Sequence, residues 1–166
     1  GDQFETVSRF RVKTHAHTVF FNRGDRFESR PLPWEAQLAP AFSVLVGDVN
    51  LDGHEDLFLS QNLFHLRSEM SRMDAGRGLL LQGRGEGEWT VLPAEASGIR
   101  IYGEQRGAAL GDYNKDGRPD LVVSQNGGAT RLFRNQGKAA GLRVMVRAGA
   151  NNRTGIGAMI SVGDGQ

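Results

Sequence analysis

Cysteine is absent from the chain, so disulfides and thiolate metal sites are excluded while the compartment stays open. No charge of one sign dominates: 20 Lys and Arg stand against 19 Asp and Glu, a net charge of +1. That balance argues against a nucleic acid or an anionic membrane as partner. No apolar run approaches the ~20 residues needed to span a bilayer, so no membrane insertion is expected. No secretory leader is visible at Gly1, so a targeting segment is expected to be absent or already removed. Helix-period patterning is scarce. What is plentiful is glycine, 23 of 166 residues, set among short apolar runs. This favours many short strands joined by tight turns, in one domain or two small units.

The most informative stretch is Asp48-Val49-Asn50-Leu51-Asp52-Gly53-His54-Glu55-Asp56, which returns as Asp112-Tyr113-Asn114-Lys115-Asp116-Gly117-Arg118-Pro119-Asp120. Both read D-x-N-x-D-G-x-x-D. Oxygen-bearing side chains recur at alternate positions, and glycine stands where the chain must turn. A loop of this kind wraps a hard cation. Calcium takes six to eight oxygens at roughly 2.3–2.6 Å, supplied in an EF-hand from positions 1, 3, 5, 7 and 9. The first site would use Asp48, Asn50, Asp52, the His54 carbonyl and Asp56. The second would use Asp112, Asn114, Asp116, the Arg118 carbonyl and Asp120. The closing Glu of an EF-hand is missing, since Leu59 and Val123 stand there. The runs Leu57-Phe58-Leu59 and Leu121-Val122-Val123 place each loop between strands rather than helices. Magnesium is disfavoured because it keeps several waters. The plainer alternative is a solvated turn rich in Asp, Asn and Gly.

Around the loops the chain repeats with a period of about sixty residues, in the range of blade-like units. Leu79-Leu80-Leu81-Gln82 matches Val19-Phe20-Phe21-Asn22, Gly107–Gly111 leads into the second loop as Val44–Gly47 leads into the first, and Ser60-Gln61-Asn62 recurs as Ser124-Gln125-Asn126. The division is an N-terminal strand segment 1–16, repeats 17–78 and 79–130, and a partial repeat with tail 131–166. Strands are expected at 10–14, 18–21, 141–147 and 159–162. The stretch 63–78 reads as a long loop with one helical turn and a Met70–Met73 contact. His15 and His17 would share one strand face, as a metal pair or as a solvated face. Arg23-Gly24-Asp25 spells a tripeptide that many integrin ligands present and also reads as a hairpin turn. Trp34, Trp89 and Tyr102 could serve a glycan or peptide binder, although packing explains the tryptophans better. Asn152-Arg153-Thr154 is a glycosylation acceptor triplet.

On these loops and their flanking strands, the chain resembles the FG-GAP or VCBS repeat family over residues 17–137. The tail, centred on 152–158, resembles the start of an ASPIC/UnbV domain. The resemblance implies an all-β fold of propeller-blade-like antiparallel sheets with calcium loops between strands. It also implies an extracellular, secreted, bacterial setting. Two repeats and a fraction cannot close a ring that typically takes four to eight blades, so open edges are expected to invite pairing. The partners implied are further copies of the chain or the remaining blades of a longer one, with a glycan as a further candidate.

No metalloprotease, serine-hydrolase or P-loop signature is present. Gly83-Arg84-Gly85-Glu86-Gly87 imitates a phosphate loop only in its glycines. Glu86 and Glu88 read as a hairpin tip. The reading is therefore a non-enzymatic, calcium-binding structural or adhesive module, with a binding fragment of a larger secreted protein, or part of an enzyme, as rivals.

Overall fold

The computed structural model describes residues 11–64, 69–139, 141 and 144–161. Among these, nine strands form three antiparallel sheets, none closed into a barrel. A hairpin joins β1 (Thr18–Asn22) to β2 (Phe27–Pro31). A four-stranded meander follows: β3 (Ala41–Gly47), β4 (Asp56–Gln61), β5 (Leu79–Gly83) and β6 (Trp89–Leu92). The third sheet holds β7 (Glu104–Gly111), β8 (Asp120–Asn126) and β9 (Gly128–Phe133). A 3-10 turn at Trp34–Leu38 follows β2, and the one-turn helix α1 (Ala94–Ser97) follows β6. The fold is thus all-β and made of blade-like sheets. The meander runs through residue 79, where the repeat is divided above, because β4 pairs with β5. A cyclic repeat has no unique first strand, and the sheets start theirs at residue 41.

β4 is buried along its whole length, and successive side chains of a strand point to opposite faces. Leu57 and Leu59 join Leu81, Leu32 and Ala36 in one core that faces the hairpin. Phe58 joins Leu80, Ile99, Ile101, Leu121 and Val123 in a second core that faces β7–β9. A strand covered on both faces reads as a continuous apolar run, which is how Asp56-Leu57-Phe58-Leu59 reads. The middle sheet is therefore the layer on which the other two pack.

Pairing registers refine the repeat. Leu57 faces Leu81 and Phe58 faces Leu80, as Leu121 faces Phe133 and Val122 faces Leu132. In the hairpin Asn22 faces Phe27 as Gly83 faces Trp89. Val19 therefore corresponds to Leu80, one residue away from the match read along the sequence. A one-residue shift exchanges the two faces of a strand, so Val19 and Phe21 turn to the meander while Phe20 turns away.

Ser60 and Ser124 explain the recurring Ser-Gln-Asn. Each hydroxyl accepts a backbone N–H from the neighbouring strand, Ser43 at 2.8 Å and Gly107 at 2.9 Å. Both lie beside register shifts in β3 and β7, where a bulge disrupts the ladder. Asn62 then clamps the long loop: its Oδ1 accepts the Gly76 N–H at 2.8 Å, and its Nδ2 donates to the Gly76 and Gly103 carbonyls.

Several expected elements differ. Residues 11–14, 144–147 and 159–161 form no strand, because no partner strand pairs with them among the described residues and an unpaired segment has no ladder. Phe10, Leu142, Arg143 and Val162 lie outside the described residues. The long loop forms no helical turn in its described part. Leu63 and Met73 instead exchange backbone hydrogen bonds of 2.9 and 3.0 Å, and Met70 and Met73 are both exposed. Trp34 is 67% exposed, since Ala36 is the residue that the 3-10 turn sends into the core. Trp89 does pack between sheets, stacking on Phe21 with centroids 5.9 Å apart.

Candidate metal centre

Both acidic loops sit where a sheet's first strand turns into its second, at the same end of the molecule. Each is built by the same bonds. Asp48 Oδ1 and Oδ2 accept the N–H groups of Asp52 (3.0 Å) and Gly53 (2.8 Å). Asp112 accepts those of Asp116 (2.9 Å) and Gly117 (3.0 Å). Asn50 and Asn114 accept from the same Asp52 and Asp116 N–H groups and donate their amides to the Asp52 and Asp116 carboxylates. Asp52 and Asp116 accept in turn from the backbone N–H of His54 and Arg118. Gly53 and Gly117 adopt φ of 87° and 83°, as position 6 requires. Leu51 and Lys115 also lie at positive φ, 60° and 61°, a left-handed conformation that the sequence does not announce.

Asp56 and Asp120 are the buried ends of the loops, 2% and 1% exposed. Each carboxylate accepts one N–H from its own loop, Val49 at 2.9 Å and Tyr113 at 3.0 Å. Each accepts a second from the end of the third strand, Gly83 at 2.8 Å and Asn135 at 2.8 Å. Gly83 and Asn135 are therefore part of the site, and motif reading misses them. They stand 27 and 15 residues after their aspartates, a spacing that differs because the first repeat carries the long loop. Asn135 also ties the loops together, donating its amide to the carbonyls of Val49 (2.7 Å) and Pro119 (3.2 Å).

Electrostatics separates the loops. The His54 N–H and the Asn50 amide hold the Asp52 carboxyl below its ordinary range, with His54 and Arg84 adding attraction. At Asp116 partial burial pushes upward, but the Asn114 amide, the Arg118 N–H and the Arg118 charge outweigh it, and the result is also low. Among the described residues no three acidic or histidine side chains are gathered into a metal-sized cluster. The donor set nevertheless fits a hard cation. Its side chains are all oxygen donors, with an amide beside the carboxylates, and a carboxylate that accepts one N–H per oxygen retains further lone pairs.

The other sequence candidates resolve into packing. His17 places Nδ1 2.7 Å from the Ala36 carbonyl, whereas His15 lies outside any strand and is exposed. Arg23-Gly24-Asp25 is the tip of the first hairpin, closed by an Arg23 N–H to Arg26 carbonyl bond of 2.9 Å. Arg23 itself is tied to Glu28 at 2.9 Å and lies over the Phe21 ring. Glu86 and Glu88 form the β5–β6 tip, closed by the Glu88 N–H to Gly85 carbonyl bond of 3.0 Å. The Asn152 side chain closes its own turn through two bonds to the Ile156 backbone. A cleft of about 820 Å³ opens between the meander and β7–β9, with Phe58, Leu80 and Leu121 in its lining and Asn50, Glu95 and Lys138 among its polar groups.

These features define a class: antiparallel β-repeat sheets stacked face to face, with an acidic loop between the first and second strands of each repeat. Residues 106–140 match the FG-GAP repeat model, a span that takes in most of β7, the second loop and β8–β9. Cartilage acidic protein 1 of Xenopus tropicalis is 34% identical over 58 residues, 35% of this chain and 9% of that protein's length. The chain is thus similar to a small part of a much longer relative. No solved structure matches it.

Proposed function

We propose that the chain is a non-enzymatic, extracellular β-repeat module whose two acidic loops bind calcium and thereby rigidify adjacent strands. Asp48, Asn50, Asp52, Asp56 and the His54 carbonyl would hold one ion. Asp112, Asn114, Asp116, Asp120 and the Arg118 carbonyl would hold the other. The supporting observation is that both loops repeat one scaffold of backbone hydrogen bonds around a hard-oxygen donor set. Calcium would screen carboxylates that otherwise repel, and a ligand that binds only the folded state stabilises it. The ASPIC/UnbV-like reading of the tail and the bacterial, secreted setting belong to this proposal. The match to an FG-GAP model and the similarity to cartilage acidic protein 1 are compatible with a location outside the cell. Among the described residues no helix is long and apolar enough to cross a membrane.

The test is thermal unfolding of the wild-type chain with calcium, with magnesium and with chelator. The expected outcome is a calcium-specific rise in Tm, part of which is lost in Asp52→Ala. Equal Tm values in all three conditions would reduce the loops to turns.

A second reading, a protein-binding piece of a larger assembly, is favoured by the ends of the sheet stack. Leu45, Val49, Phe58 and Leu80 of the meander pack on the third sheet. Their counterparts on the third sheet, Ala109, Tyr113, Val122 and Leu132, meet no further sheet among the described residues, and Tyr113 is 72% and Leu132 49% exposed. At the other end Phe20 and Phe27, which correspond to the packed Leu81 and Trp89, are 58% and 69% exposed. Sheets of the same kind, from the rest of a longer chain or from another copy, would fit these faces. The cleft beside the loops leaves a glycan as a further candidate.

A further inference from the structure

Among the described residues, loop 112–120 carries a paired cation of its own, and loop 48–56 does not. An Arg118 Nη2 donates to Asp116 Oδ2, and both side chains are only 20% exposed. Arg118 Nε donates to the Asn135 carbonyl at 3.2 Å, which fixes the guanidinium over the loop. Arg134 places Nη2 3.9 Å from the same Asp116 oxygen. The repeat assigns counterparts to both arginines. Asp52 accepts the His54 N–H as Asp116 accepts that of Arg118. Gln82 follows Leu81 on β5 as Arg134 follows Phe133 on β9. The first loop therefore has an imidazole and an amide where the second has two guanidinium groups. Among the described residues no Lys or Arg makes an ion pair with Asp48, Asp52 or Asp56, and Arg84 reaches Asp52 only as a longer-range attraction.

We infer that Arg118, backed by Arg134, is a built-in counter-ion for loop 112–120, so that this loop admits a divalent cation less readily than loop 48–56, which lacks such a counter-ion. A guanidinium is permanently charged, and its fork of donors suits a carboxylate. A second cation at the same oxygens must displace it or be repelled by it. The two loops, alike in motif, then divide the work. One is held mainly by its own arginines, and the other responds more strongly to calcium. The affinity half of this inference rests on the calcium reading, while the counter-ion half does not.

The experiment uses the full chain and has two arms. In chelator, Asp116→Asn is expected to lower Tm more than Asp52→Asn, because it strands Arg118, whereas Asp52→Asn gives up only charge-assisted hydrogen bonds from Asn50 and the His54 N–H. Arg118→His with Arg134→Gln is expected to lower Tm in chelator, and adding Asp116→Asn to that pair should cost little more. Equal shifts for Asp52→Asn and Asp116→Asn would overturn the counter-ion. In calorimetric calcium titrations, Asp112→Ala is expected to keep the tight site. Asp48→Ala should leave only binding at least ~10-fold weaker, which Arg118→His with Arg134→Gln strengthens. Equal affinities in Asp48→Ala and Asp112→Ala would overturn the division between the loops. A wild-type chain that binds no calcium would end the calcium reading, and the chelator arm would then decide the counter-ion alone.

Discussion

Gly83 shows how much one position carries in this molecule. Its N–H completes the Asp56 carboxylate at 2.8 Å. A Cβ built on it would lie 2.3 Å from the Glu55 carbonyl oxygen, a backbone atom that cannot rotate away. Gly83→Ala is therefore expected to destabilise by about 1–3 kcal/mol, the usual cost of overpacking, and to disturb the first loop through Asp56. Urea unfolding against the wild type measures the first effect. Gly24→Ala is the control, because a Cβ there meets nothing within 4 Å and only its φ of 91° is strained. A loss in Gly83→Ala no larger than that in Gly24→Ala would show that a small shift relieves the Glu55 contact. Glycine content alone gives no means of telling these two positions apart.

The first hairpin is held on its exposed side by charge. Glu28 accepts from Arg30 Nε at 2.6 Å and Arg23 Nε at 2.9 Å. Those two partners, Arg30 first, hold its carboxyl below the ordinary carboxylate value. A folded-state pKa lower than the unfolded one means that the contribution is full above the unfolded value and is lost as pH falls through the folded one. The Tm difference between wild type and Glu28→Gln is expected to favour the wild type at neutral pH and to shrink below about pH 4. Added salt should also reduce it, since these side chains are partly exposed. A difference that is constant from pH 7 to pH 3 would refute a role for the ionised pair. The hairpin was legible from its turn residues and the short apolar run before them. Its register was not, because Val19-Phe20-Phe21 is apolar at three consecutive positions and both alignments look equally good until Asn22 pairs with Phe27.

The stack of sheets ends in apolar faces that its own repeats cover elsewhere. Phe58 is 2% exposed because β7–β9 lies over it, whereas Leu132, on the corresponding face of the third sheet, is half exposed. Sedimentation of the wild-type chain over a range of concentrations is expected to show reversible association through these ends. Leu132→Glu or Phe20→Glu should weaken that association while leaving Tm nearly unchanged. Strict monomers at all concentrations would leave the faces to segments of a longer chain. Association that both substitutions leave intact would place the contact elsewhere, at the open edges of β6 or β9.

The sequence by itself determined the β character, the two loops and their exposed donors, because these depend on local chemistry: alternation, turn residues and the short-range spacing of Asp and Asn. It also determined that the chain repeats. Tertiary structure decided which face each strand presents, that β4 is covered on both sides, and that Gly83 and Asn135 complete the buried aspartates. It also decided that the two loops differ in charge. Arg118 is visible in the second motif two residues after Asp116, but the Asn135 carbonyl that accepts from its guanidinium and the Arg134 side chain beside the same carboxylate both come from the chain after β9. Such contacts join residues from different strands, and their spacing along the chain follows the length of the intervening loops rather than any local rule.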